Sequence, residues 1–193
     1  ATRGGPVVFA GPPLVDRPIV AAFHEAARLY VADSSGSNAP VKTQLTERPH
    51  RIVRLEDTND DGRFDKSVVF ADQMMLPEGT MWLDGSLYVA APPSIWKLTD
   101  TDSDGEADRR EEWFNGVTLT GCANDLHGPY PGPDGWIYWT KGGFAEQRYP
   151  QTNWKDIEVG LLEPQFGVLM ARRAVQTLVR QFVKGGGEYR VGA

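Results

Sequence analysis

Residues 100–111, D-T-D-S-D-G-E-A-D-R-R-E, carry oxygen-bearing side chains at the spacing that wraps a loop around a hard cation. Asp100, Asp102 and Asp104 fall at positions one, three and five, and Gly105 at six permits a sharp turn. Glu106 at seven can offer its carbonyl, Asp108 stands at nine and Glu111 at twelve. A near copy, residues 57–65, lies 43 residues earlier and offers Asp57, Asn59, Asp61 and Asp65. Position twelve of that copy is Val68, so no bidentate carboxylate closes it and weaker binding is expected there. Calcium is the ion this donor set suits. The alternative is a pair of solvated hairpin turns in which Asp and Asn side chains cap their own backbone.

A second group, Asn124, Asp125 and His127, precedes a G-P-D-G turn at residues 132–135. A histidine that titrates near neutrality beside a carboxylate can act as a general base, and it can equally be a structural histidine tied to backbone. Trp82, Trp96, Trp113, Trp136, Tyr138 and Trp139 form an aromatic set. Such faces can stack on a quinone or a sugar, but alternating strand positions favour a core role. The glycines at 185–187, near Glu163, Arg172 and Arg173, follow a helical pattern, so they read as a helix stop and not as a phosphate cradle. Cys122, His24 and His50 form no visible ligand cluster and read as structural.

The elements that must position these groups are short strands. Residues 28–33 (R-L-Y-V-A-D) and 50–55 (H-R-I-V-R-L) read as strands, the second running into the first acidic loop and followed by another at 67–71. An apolar run at 18–23 precedes them, and residues 34–49, polar with two prolines, read as a loop. The next unit repeats the order with strands at 80–83 and 86–90 around an Asp84-Gly85 hairpin turn. Strands at 94–99 and 112–114 then flank the second acidic loop. Four short antiparallel strands in about 43 residues is the size of a propeller blade. A third unit begins at 124–132 and supplies a strand at 136–140. After residue 147 the pattern changes. Residues 167–183 place Leu169, Ala174, Val175, Leu178, Val179, Phe182 and Val183 on one face at helical spacing, and residues 188–191 can begin a strand.

Composition sets outer bounds. The 193 residues suffice for one domain, or one domain and a fragment, and 40% hydrophobic with 24% charged residues is ordinary globular material. Twenty basic against 26 acidic residues, with no cationic run, argue against a nucleic-acid partner. One cysteine excludes an internal disulfide, a C-x-x-C-H haem attachment and a cysteine zinc site. No apolar run is long enough for a membrane span, and the opening residues lack the pattern of a signal peptide.

The residues R-L-Y-V-A-D at Arg28, R-I-V-R-L-E-D-T-N-D-D-G-R-F-D-K-S at Arg51, L-Y-V-A-A-P-P-S-I-W-K-L-T-D-T-D-S-D-G at Leu87, and N-D-L-H-G-P at Asn124 carry a resemblance. In this order they resemble the N-terminal propeller of the membrane-bound dehydrogenases of planctomycetes and verrucomicrobia, relatives of the quinoprotein sugar dehydrogenases. The resemblance covers residues 7–147. It implies a periplasmic or secreted protein, calcium at the blade loops and a small sugar or alcohol as substrate. Pyrroloquinoline quinone is implied only for a full-length relative. In quinoprotein sugar dehydrogenases a base histidine lies ten residues before the Asp of the matching turn. Counting back from Asp134 gives Asn124, with His127 displaced by three.

Y-P-Q-T-N-W from Tyr149 and G-L-L-E-P-Q-F-G-V-L-M-A-R-R-A-V-Q-T-L-V from Gly160 are similar to an internal segment of FAD-dependent amine oxidases of the sarcosine and D-amino acid oxidase type. The chain has no G-x-G-x-x-G turn, so bound FAD is not expected. The expected fold is therefore mainly β. An incomplete propeller of about two and a half four-stranded blades, residues 1–147, would be followed by a short α/β unit, residues 148–193, joined near residues 145–150. Such a fragment is expected to be inactive alone and to self-associate through open blade edges. The competing readings are a remnant of the amine oxidase and a calcium-stabilised binding module without chemistry.

Overall fold

The computed structural model describes residues 10–24, 26–117, 119–121 and 125–142, all within one compact unit, Ala1–Gly160. The expected helix at 167–183, the glycine run, Cys122 and Asn124 lie outside the described residues. The fold is mainly β, with ten strands, one helix and no closed barrel among the described residues.

Strands β1 (Pro18–Phe23), β2 (Leu29–Asp33), β3 (His50–Glu56) and β4 (Lys66–Met74) make an antiparallel sheet in chain order. Strands β5 (Gly79–Leu83), β6 (Ser86–Ala91), β7 (Ser94–Thr99) and β8 (Arg109–Asn115) make a second sheet in the same order. A third sheet pairs β9 (Leu126–Pro131) with β10 (Ile137–Lys141). The expected strands are thus present, within a few residues at their ends, and the apolar run at 18–23 is itself a strand. Asp84 and Gly85 take φ of 48° and 75°, the two positive angles that a two-residue hairpin turn needs, and close the Leu83 to Ser86 pair.

Residues 34–49 depart from the expected loop, because Val41–Glu47 form a helix, α1. A seven-residue helix with no side-chain cap has little stability of its own and must be held by tertiary contacts. Gln44 supplies them. Its side-chain amide donates to the Ala39 carbonyl at 2.7 Å, and its Oε1 lies 2.8 Å from Nε2 of His50, a side chain that is fully buried.

The sheets stack face to face, and the alternation of side chains along each strand explains why. Every residue of β6 is buried. Leu87, Val89 and Ala91 point into a core shared with Tyr30, Ala32, Ile52 and Phe70 of the first sheet. Tyr88 and Ala90 point the other way, into a core shared with Leu126, Ile137 and Trp139 of the third. Three of the six expected core aromatics, Trp82, Trp96 and Trp139, serve these two layers, whereas Trp113 is exposed and Trp136 and Tyr138 belong to neither core. Trp82 stacks on Tyr30 at 5.0 Å, Trp96 packs on the first core, and Trp139 meets Trp113 edge-on at 5.6 Å. Beyond the first sheet, Val15, Val31, Val53 and Leu55 form a smaller core.

The first strands of the sheets lie against one another, β5 touching both β1 and β9. Between β5 and β9 the approach is backbone to backbone. A Cβ at Gly79 would sit 1.6 Å from the Gly128 carbonyl oxygen, so no other residue fits without moving a strand. Gly79→Ala should therefore destabilise the protein by about 3 kcal/mol, read as a lower midpoint in urea unfolding. Gly85→Ala, at a turn with nothing within 4 Å, should cost about 1 kcal/mol.

Candidate functional site

The two acidic loops connect equivalent strand pairs, β3 to β4 and β7 to β8, and they fold on the same hydrogen-bonded frame. At position one, Asp57 accepts from the Gly62 N–H at 2.7 Å, and Asp100 from the Gly105 N–H at 3.0 Å. At position three, Asn59 accepts from the Asp61 N–H and Asp102 from the Asp104 N–H. At position five, Asp61 accepts from the Arg63 N–H and Asp104 from the Glu106 N–H. At position nine, Asp65 and Asp108 each take the N–H and hydroxyl of a threonine at position two, Thr58 or Thr101. Those threonine bonds hold both carboxyls below their ordinary pKa, so both stay ionised at neutral pH. The two threonines were legible as the residue after the first Asp in each copy.

Asp100, Asp102 and Asp108 bring one carboxylate oxygen each to within 4.8 Å of one another. Asp104 is not in that group. Glu111 also lies elsewhere, on β8 opposite Lys97 and paired with Arg109 at 2.8 Å. The donor chemistry fits a hard, oxygen-seeking cation held by the first, third and ninth positions.

Surroundings distinguish the loops. Nothing lies within 4 Å of where a Cβ at Gly62 would stand. At Gly105 that place is taken by the guanidinium of Arg54, which reaches from β3 of the first sheet. Arg54 is buried, 2.9 Å from Glu56 and 3.7 Å from Asp100. Burial alone would raise the Glu56 carboxyl, but Lys66, Arg54 and Arg28 around it bring it below its ordinary value. The second loop is further fixed to the first sheet by the Ala107 N–H donating to the Phe70 carbonyl at 2.7 Å. Nothing in the local sequence marks Arg54 as a partner of a loop about 46 residues away.

The second candidate group sits where β9 begins. Asp125 is buried, and its carboxylate accepts from the Thr120 N–H at 2.6 Å and hydroxyl at 2.8 Å. His127 is half-buried on β9, opposite Thr140, and among the described residues it makes no hydrogen bond to Asp125. Asn124 lies outside the described residues. Glu78, just before β5, is instead the residue brought into electrostatic contact with Asp125, and no sequence signal pointed to it. Its Oε2 is buried without a hydrogen-bond partner. Burial and the Asp125 charge raise its pKa to about 7, against a lowering pull from the Leu126 N–H. Lys141 completes the cluster. Burial lowers its pKa and Asp125 raises it, while its ammonium donates to the Gly116 carbonyl.

A family model matches residues 7–175, a span that takes in both loops, Asp125 and His127 and continues past residues 145–150. The chain belongs to the family DUF7133, a domain of unknown function. No curated protein and no solved structure matches it. Family membership thus covers both sides of the expected join and brings no activity with it.

Gly105→Ala should cost about 2–3 kcal/mol because its methyl meets Arg54, whereas Gly62→Ala should cost only about 1 kcal/mol for its left-handed backbone. Chemical denaturation of the two variants checks the contrast. For Glu78 the sign follows from its raised pKa. The folded form holds its proton more tightly than the unfolded chain, so stability falls as pH rises from about 4.5 through about 7. Glu78→Gln should therefore be more stable than the parent at pH 8 by about 1–2 kcal/mol, the screened value for a partly exposed group. The difference should vanish near pH 4, as melting curves across that range would reveal.

Proposed function

We propose that the chain is part of a propeller of the quinoprotein sugar or alcohol dehydrogenase type, with calcium held at its blade loops, and that this part is inactive by itself. The observation that carries the reading is the repeated loop frame, in which Asp100, Asp102 and Asp108 bring one oxygen each to within 4.8 Å of one another. Asp57, Asn59, Asp61 and Asp65 keep the same frame in the first loop. The radial arrangement is supported by sheets of the same strand order whose first strands β1, β5 and β9 adjoin. In a full-length relative such a ring would enclose a pyrroloquinoline quinone, periplasmic or secreted, and the substrate would be a small sugar or alcohol.

The chain's own residues assign themselves modestly to chemistry. In this reading His127, half-buried on β9, is the residue that would take a hydroxyl proton. Asp125 is committed to Thr120, so it does not orient the imidazole. That commitment favours a second reading, a calcium-stabilised binding module without chemistry. An amine-oxidase remnant would rest on residues outside those described. Self-association has a physical basis in the exposed apolar side chains of β1, Ile19 and Phe23, the latter 70% exposed.

Millimolar calcium should raise the melting temperature by about 3–8 °C, because an ion that binds only the folded form stabilises it by mass action. Asp100→Ala with Asp102→Ala should abolish most of the shift. Calorimetry showing no heat of calcium binding, with an unmoved melting curve, would leave the loops as solvated turns. Dye reduction with added sugar, calcium and pyrroloquinoline quinone should be absent. Turnover that disappears in His127→Ala would refute the claim of inactivity.

A further inference from the structure

The two four-stranded sheets differ most where their second strand passes to their third. Between β6 and β7 there are only Pro92 and Pro93, whereas residues 34–49, with α1, separate β2 from β3. A hairpin needs none of that extra length. Insertions confined to one repeat of an array often form its binding face. This one is pinned from below. His50 Nδ1 lies 3.2 Å from the Ser35 nitrogen and 3.4 Å from the Ser34 hydroxyl, while its other nitrogen meets Gln44. Burial lowers the His50 pKa, which favours the neutral ring in that network. Helix α1 ends on Arg48, whose backbone is fixed in the left-handed region with φ 48° and whose N–H donates to the Gln44 carbonyl at 2.8 Å.

Two cavities border this segment. The larger, about 630 Å³, is an open trough of mixed polar and apolar lining along residues 34–41. The smaller, about 290 Å³, lies where the end of α1, the end of β4 and the start of β7 meet. Its floor is apolar, with Met74, Met75, Trp96 and Leu98, and its charged lining is Arg48, Arg110 and Glu112. Two of those charges are already engaged. Arg110 donates to the Asp72 carbonyl at 2.8 Å and to its carboxylate at 3.1 Å. Glu112 accepts from the Ser94 hydroxyl at 2.6 Å and from the Asn115 amide at 3.2 Å, one bond to each oxygen. Arg48 forms no ion pair among the described residues.

We propose that the smaller cavity is a binding site for a small organic anion, an apolar body of about one ring carrying a single carboxylate. The body would lie against Trp96 and Leu45, the apolar lining residues that keep exposed surface, and the carboxylate would take the Arg48 guanidinium. The volume is at the lower end of small-molecule pockets, which begin near roughly 300 Å³. A guanidinium offers paired donors to a carboxylate, so charge and shape are read together. A neutral ligand of the same shape leaves Arg48 unused.

Titration of the full chain with benzoate at fixed ionic strength, followed by tryptophan fluorescence and by calorimetry, tests this. Benzoate should give a saturable change, and benzyl alcohol should bind at least about ten-fold more weakly. Arg48→Gln should lower benzoate affinity at least about ten-fold and leave benzyl alcohol unchanged. Arg48 is exposed, so the variant should keep the parent's melting curve. Trp96→Phe should remove most of the fluorescence change while calorimetry still detects benzoate. The proposal is overturned if benzoate gives no saturable signal by either method, or if Arg48→Gln binds it as well as the parent does.

Discussion

The structure depends on a sheet with two buried faces. A half-buried antiparallel strand alternates apolar and polar residues, but β6 reads S-L-Y-V-A-A and is buried throughout. Such a strand is stable only with a sheet on either side, so β6 dictates that the first and third sheets stack on the second. Everything near the candidate sites follows from that stacking. Gly79 and Gly128 allow β5 and β9 to approach backbone to backbone, and Glu78 and Asp125, each one residue before those strands, are carried together as a consequence. The two carboxylates are neighbours through the packing of sheets.

The same stacking separates two loops that are chemically near-twins. Both have the same internal frame of Asx-type and threonine bonds, so the frame is a property of the local sequence. The second loop also lies over the first sheet, where the Arg54 guanidinium fills the space beside Gly105. A buried guanidinium needs compensation, and Glu56 and Asp100 supply it. Lys97, 43 residues beyond Arg54 in the same strand position, has its ammonium 6.0 Å from the Tyr88 ring. The loops therefore offer a cation comparable ligands in unlike fields: the first is open to water, and the second already borders a fixed positive charge. Motif strength alone ranks the second loop higher, while Arg54 opposes that ranking by Coulomb repulsion.

Much of the fold was legible because its signals are local. Alternation marked the strands, Asp84-Gly85 marked a hairpin, and the spacing of the acidic loops marked the repeat. The helix α1 was not legible, since residues 34–49 contain two prolines and no helical period, and the helix is held by a buried Gln44 to His50 contact that no local pattern encodes. At the candidate sites the same division holds. The loop carboxylates could be read from spacing, but Glu111 was placed by strand geometry, facing Lys97 and Arg109, and not by its count in the motif. Glu78 and Arg54 carry no mark in sequence because their roles come from residues more than 40 positions away.

These contrasts decide how much chemistry the fold supports. A general base needs its imidazole oriented by a second group, and the nearest carboxylate in sequence, Asp125, spends its oxygens on Thr120. The group with the perturbed proton affinity is Glu78, whose buried Oε2 has no partner and whose charge is opposed by Asp125. A carboxyl with a pKa near 7 can exchange a proton at neutral pH more readily than an ordinary glutamate. Burial that gives it this property also keeps its Oε2 away from solvent, with no donor to hold it. In the described arrangement Glu78 is therefore a constraint on stability with pH, and the acidic loops remain the groups that solvent and ions can reach.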